Sequence, residues 1–173
     1  HAETHLLGMT VASARQHVDN HTFISHNVAR CESNEMFKYV LNDQSVGAFA
    51  GKVLVKENCP RTVAYQGNRN IVASADAKMY SKPQLEIYTD DVKCSHGSAT
   101  GQLNEEALFY MRSRGISEAE ARQLLMQAFM SDVIDAVRLP ALKDRLHHLV
   151  EKRFRGQLAM CADCTAANCA AAK

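Results

Sequence analysis

The stretch FKYVLNDQSVGAFAGKVLV, Phe37 to Val55, decides the fold class. Its two ends, Phe37–Leu41 and Ala48–Val55, are short runs of β-branched, aromatic and small residues, the mixture that suits a pleated, half-buried surface. Between them lies a polar corner at Asn42-Asp43, without the Asn-Gly or Asp-Gly dipeptide that builds a two-residue hairpin. The same arrangement recurs on both sides. Strands are expected at Met9–Ala14, Thr22–Ser25, Val63–Gln66, Ile71–Ser74, Leu85–Tyr88 and Val92–Cys94, with further polar corners at Asn20-His21, Gly67-Asn68 and Asp90-Asp91. No sustained helical period occurs before Gly101. Both an antiparallel sandwich and a β-helix fit short strands of this kind. The missing hairpin chemistry favours the β-helix, in which each coil buries its face against its neighbours.

Past Gly101 the pattern turns helical. Asn104 is placed to cap a helix running to about Arg114, with Leu103 and Leu108 as a hydrophobic staple and Gly115 just past its end. Ser117 and Glu120 form a capping box that opens a longer helix to about Leu139. Ala121, Leu124, Leu125, Ala128, Val133, Ile134 and Val137 fall mainly on one face of it. Pro140 suits the first turn of a third helix, with Leu142, Leu146, Leu149 and Val150 as its buried side and Gly156 as its close. The expected organisation is therefore a β domain over 1–101, a helical domain over 102–157 and a flexible Cys-rich tail over 158–173.

Bulk composition narrows the function. Lys+Arg 20 against Asp+Glu 19 leaves no basic footprint for nucleic acid and no polybasic membrane patch. The apolar runs are too short for a membrane-spanning helix, and no signal peptide is expected. The chain opens at His1 inside an alternating pattern, as a piece of a longer protein would. Of the six cysteines, Cys161, Cys164 and Cys169 crowd into the end, where there is little to staple; reduced thiols and a cytoplasmic location are expected. No Walker-type loop occurs, so ATP hydrolysis by this chain is not expected.

The string Asp90-Asp91-Val92-Lys93-Cys94-Ser95-His96-Gly97 carries the best candidate chemistry. Cys94 and His96, two residues apart on an extended segment, point to one face, and both are competent ligands for iron or zinc. A Cys94 nucleophile activated by His96 lacks an orienting partner. The bland alternative makes Cys94 a small buried residue and His96 a surface one at a strand end. His17, His21 and His26, with Cys31 nearby, are a second cluster; a metal-dependent β-fold enzyme is its extreme reading, and polar corners of the stack the favoured one. In the tail, Cys161-Ala162-Asp163-Cys164 with Cys169 falls short of four paired zinc ligands, and His147 and His148 lie more than ten residues upstream. Phe109, Tyr110 and Phe129 read as core by pattern alone.

The run Thr62-Val63-Ala64-Tyr65-Gln66, then Asn68-Arg69-Asn70-Ile71, then Lys82-Pro83-Gln84-Leu85-Glu86-Ile87-Tyr88 and Asp90–Gly97 resembles the SufD branch of the SufB/SufD family of iron–sulfur cluster assembly proteins. Gly101-Gln102-Leu103, Leu108-Phe109-Tyr110 and Ser113-Arg114-Gly115-Ile116 continue the resemblance in order, and Ser33, Phe37-Lys38, Phe49-Ala50-Gly51-Lys52-Val53 and Val55 extend it upstream. It covers nearly all of the chain from His1 to about Arg155, corresponding to the C-terminal part of the family's members. SufB itself is the nearest alternative. Its members carry a cysteine in the stretch aligned with Asn70–Asp76 and a Glu after the histidine; here that stretch has no cysteine and Gly97 follows His96.

The resemblance implies a mainly β protein, a right-handed parallel β-helix followed by a C-terminal helical domain. It implies a non-catalytic scaffold subunit of a cytoplasmic SufBCD complex, partnered by SufB and by the ATPase SufC. A homodimer of this chain is a further expectation. It also implies that the histidine of the Lys-Cys-Ser-His-Gly motif, here His96, helps hold a transient iron–sulfur cluster at the interface with SufB, with Cys94 as a nearby thiol. No tightly bound cofactor is expected in the chain itself. SufC docking maps onto Leu108, Phe109, Tyr110, Arg114, Gly115, Ile116, Ala121, Leu125 and Phe129.

Overall fold

The computed structural model describes residues 1–156. Seven strands alternate between two sheets: β1 (Glu3–Ala12), β3 (Glu32–Leu41), β5 (Val63–Val72) and β7 (Lys93–Gly101) in sheet A, and β2 (His17–His26), β4 (Val46–Val55) and β6 (Lys78–Ile87) in sheet B. Every pairing is parallel. The chain is therefore a parallel β-helix of two strands per coil, and the antiparallel sandwich is excluded. Glu3, Glu32, Val63 and Lys93 lie in register, one coil apart each time.

Left-handed residues stand at most of the corners, one or two at each, which explains the absence of hairpin dipeptides. Ala14 and Asp43 take φ of 54° and 55° on successive coils, and Arg30, Arg61 and Asp91 take 60°, 59° and 55° on another edge. These conformations are unfavourable for residues with a Cβ. Bonds between coils hold them: Ala14 N donates to Asp43 Oδ2 (2.7 Å), and Gln44 N to the Ala14 carbonyl (3.0 Å). On the other edge Arg30 N donates to the Pro60 carbonyl (3.1 Å) and Arg61 N to that of Asp91 (2.6 Å).

Each strand runs longer than its apolar signal. Val63–Gln66 and the first two residues of Ile71–Ser74 belong to one strand, β5, so Gly67-Asn68 is no corner. Asn20-His21 likewise sits in the middle of β2. The reason is the interior. Inward positions of β5 are buried and polar, Gln66, Asn68 and Asn70, and polar residues two apart imitate a turn. Toward the strand ends the lower coils are apolar by contrast: Phe37 meets Phe49 across the two sheets with ring centroids 5.0 Å apart, among Ala12, Tyr39, Leu41 and Ala77. Tyr39 Oη donates to the Ala48 carbonyl (2.9 Å) and accepts from Asn20 Nδ2 (2.6 Å).

A layer of helices packs on the outer face of sheet A toward the C-terminal ends of its strands. α1 (Glu105–Ser113) starts at Asn104, whose Oδ1 accepts from Ala107 N at 3.0 Å. α2 (Glu118–Asp135) starts at Ser117, whose hydroxyl accepts from Glu120 N at 3.3 Å, and it stops before Leu139. Gly115, at φ +88°, makes the reversal between them. α3 (Pro140–Phe154) opens on the proline. Val40 and Ile71 of the sheet share one core with Leu103, Met130, Ile134 and Val150. Of the face expected for α3 only Val150 is fully buried; Leu142 and Leu149 are exposed. The polar fastening is Lys38. Its ammonium is buried, lies 4.5 Å from the Phe129 ring centre, and donates to the Phe129 carbonyl (2.7 Å) and to Asp132 Oδ2 (2.6 Å). At the opposite end of the helical layer Arg153 Nη2 donates to Ser13 Oγ (2.9 Å) and Gln16 Oε1 (2.7 Å). No helix among the described residues is long and apolar enough to cross a membrane.

Candidate functional site

Among the described residues β7 is the last strand of sheet A, paired on one side with β5 and open on the other. Alternation sends Cys94, His96, Ser98 and Thr100 to the inward side, stacked on Ala64, Gln66, Asn68 and Asn70. These are interior positions with no further coil to cover them, so His96, Ser98 and Thr100 are exposed. Two of the rows are closed by hydrogen bonds between coils. Ser98 Oγ donates to Asn68 Oδ1 (3.3 Å), and Asn70 Nδ2 donates to Thr100 Oγ1 (3.0 Å). Ser81 of sheet B joins the same cluster, donating to Asn68 Oδ1 (2.7 Å). The upper interior is thus polar and fixed, and His96 stands at its mouth.

The two donors of the motif differ. Cys94 is half-buried, and burial pushes its thiol above the ordinary 9.0. It therefore keeps its proton near neutral pH, and the thiolate is the form that binds metal. His96 offers a ring nitrogen from an exposed position at the end of the stack. Among the described residues no three His, Cys, Asp or Glu side chains converge as a metal site. The described residues alone do not complete a ligand set around His96 and Cys94.

The other sequence candidates fall as follows. His17 and His21 lie on the outward row of β2, whereas His26 points inward, is buried, and pairs with Ser33 Oγ at 2.9 Å. They share no face. The expected placement at polar corners is corrected for all three, which occupy β2 itself, because a β2 that runs the full length of the coil absorbs the corner. Burial also lowers the pKa of His26. Cys31 is a buried free thiol. His147 lies near Asp135, 3.7 Å from its carboxylate. Cys161, Cys164 and Cys169 lie outside the described residues.

The residues mapped to a docking role separate into two sets. Leu108 and Ala121 are buried, and Leu125 and Phe129 pack against the core shared with the sheet, so these four build the helical layer. Phe109 and Tyr110 are 73% and 59% exposed, correcting their reading as core: they lie on the side of α1 turned from the sheet. Arg114 stacks its guanidinium 5.2 Å from the Tyr110 ring centre, beside Gly115 and the half-buried Ile116. What sequence reasoning missed is the buried row beneath His96: Glu35, 0% exposed, receives a 2.8 Å hydrogen bond from Gln66 Nε2. The signal was present in Gln66, Asn68 and Asn70, polar residues at strand period between Ala64 and Ile71.

Comparison with known proteins agrees with this geometry. Residues 1–129 match the family model described as SUF system FeS cluster assembly, SufBD core domain. An iron–sulfur cluster assembly SufBD family protein of Synechocystis sp. is 38% identical over 151 residues, covering 87% of this chain and 33% of the relative. The iron–sulfur cluster assembly protein SufD of Escherichia coli is 36% identical over 138 residues, covering 80% and 33%. A SufBD family protein of Mycobacterium leprae is 34% identical over 157 residues, covering 86% and 40%. The chain spans between a third and two fifths of the length of these relatives.

Proposed function

We propose that this chain, which belongs to the SufBD core-domain family of iron–sulfur cluster assembly proteins, works as a non-catalytic scaffold of the SufD kind, presenting His96 to a cluster under construction. The observation that carries the reading is the position of His96: an exposed imidazole on an interior row of the last strand, at the open mouth of a polar stack. The cluster is cargo, not a resident cofactor. The partner across that mouth is a SufB-type subunit, whose donors would complete the ligand set. One imidazole with few thiolates suits transfer, since a full four-thiolate set holds a cluster firmly. Cys94, kept protonated by burial, is a reserve donor beside it.

The exposed Phe109, Tyr110 and Arg114, with Gly115 and Ile116 beside them, form the surface on which a SufC-type ATPase would dock, and the complex would work in the cytoplasm. Nucleotide-driven movement there would reach the β-helix through the core shared by α2, α3 and sheet A. The functional test replaces His96 with Ala and measures iron–sulfur enzyme maturation in cells dependent on this system. Loss of maturation with normal amounts of the chain supports the ligand role; unchanged maturation refutes it.

A further inference from the structure

Row by row, β5 and β7 hydrogen-bond their inward side chains across the coil step: Asn68 with Ser98, and Asn70 with Thr100. Gln66 and His96 are register partners on the same face, one row along. Here the Gln66 carbonyl oxygen, Oε1, is buried and has no hydrogen-bond partner among the described residues. Gln66 Nε2 donates to Glu35 Oε2 at 2.8 Å, which turns Oε1 away from Glu35. Gly51 makes room for the amide: a Cβ there would lie 2.5 Å from Gln66 Nε2. A buried carbonyl left unpaired is costly, and neighbouring coils lie about 4.8 Å apart, a step an imidazole N–H can span when the ring turns along the stack.

We infer that Gln66 is a positioning residue for His96: its side-chain carbonyl accepts one ring N–H of His96, which fixes the tautomer and leaves the other nitrogen free, while buried Glu35 holds Gln66 in place. The inference deepens the proposed ligand role of His96 and rests on it. Metal-binding histidines are commonly set this way, by a hydrogen bond on the nitrogen that does not bind. The column Glu35–Gln66–His96 would prepare the ring before iron arrives.

The test reads tautomers by long-range proton–nitrogen NMR on the whole chain carrying nitrogen-15 histidine, with the His96 signal assigned from His96→Gln. The ring is observed at mildly alkaline pH without iron. One tautomer is expected to dominate at His96 in the wild-type chain, and Gln66→Leu is expected to lose that dominance while His21 stays unchanged. The paired exchange Glu35→Gln with Gln66→Glu keeps an acceptor facing His96 and is expected to retain the single tautomer. A wild-type His96 holding both tautomers, or the same single tautomer in Gln66→Leu, overturns the inference. Should Gln66→Leu not fold, the wild-type spectrum and the exchange variant decide, since loss of the single tautomer in a folded exchange variant also overturns it. No iron enters the measurement. A fixed tautomer alongside normal maturation by His96→Ala would sink the ligand role alone.

Discussion

Lys38 and Asp132 fasten α2 to the β-helix, and their unequal burial makes the two halves of the pair respond unequally to mutation. The Lys38 side chain is 2% exposed and that of Asp132 67%. Asp132→Ala leaves a buried ammonium whose remaining partners are the Phe129 carbonyl at 2.7 Å and the Phe129 ring. Removing one member of a buried pair costs about 3–5 kcal/mol when nothing compensates. The carbonyl and the ring compensate in part, and alanine favours the helix by about 0.5 kcal/mol, so a loss of about 2 kcal/mol is expected. Lys38→Met removes the buried charge instead. Asp132 then returns to water, and methionine refills the space over Phe129, giving a loss of about 1 kcal/mol or less. The double variant should resemble Lys38→Met, with a coupling of about 2 kcal/mol. Urea unfolding followed by far-ultraviolet circular dichroism measures all four corners of the cycle. The reasoning is refuted if Lys38→Met proves as costly as Asp132→Ala.

Three further outcomes follow from the interior. His26 is buried beside Ser33 and its pKa is lowered, so the unfolded chain binds the extra proton first: its contribution is present above the ordinary 6.5 and lost as pH falls through the lowered value. Stability should fall less steeply on acidification in His26→Gln than in the wild-type chain, and equal slopes in paired urea titrations would contradict this. Cys94, with its thiol pushed up by burial, should alkylate slowly at neutral pH and accelerate beyond the ordinary 9.0, as read by mass spectrometry of its peptide; fast neutral labelling would contradict the burial argument. Gly51→Ala brings a Cβ to 2.5 Å from Gln66 Nε2 and 2.6 Å from Phe49 Cζ, so overpacking should cost about 1–3 kcal/mol in urea unfolding; an unchanged midpoint would show that the interior yields at that level.

The β-helix was legible because its corners lack hairpin residues; the helical end because Asn104, Ser117 and Pro140 mark helix starts and Gly115 and Gly156 follow helix ends. Strand lengths were not, since the period-two signal assumes an apolar interior. Gln66, Asn68 and Asn70 break that assumption, and the polar chemistry that disguised β5 as two strands is what lines the way to His96. That Cys94 and His96 share a face could be read from their spacing. That the face is an interior row on the last coil could not, because register with Ala64 and Gln66 is a long-range property. Helix amphipathicity also misled at Phe109, Tyr110, Leu142 and Leu149, where apolar residues stay exposed on the outer side of the helical layer.

The central claim is that His96 gives a nitrogen to the nascent cluster. The direct measurement is electron spin-echo envelope modulation on a reduced cluster assembled on this chain with its family partners, comparing nitrogen-14 with nitrogen-15 histidine. A directly coordinated imidazole nitrogen, shifting with the isotope and absent in His96→Ala, is the result expected. A cluster that forms without such a nitrogen, or keeps it in His96→Ala, would contradict the claim.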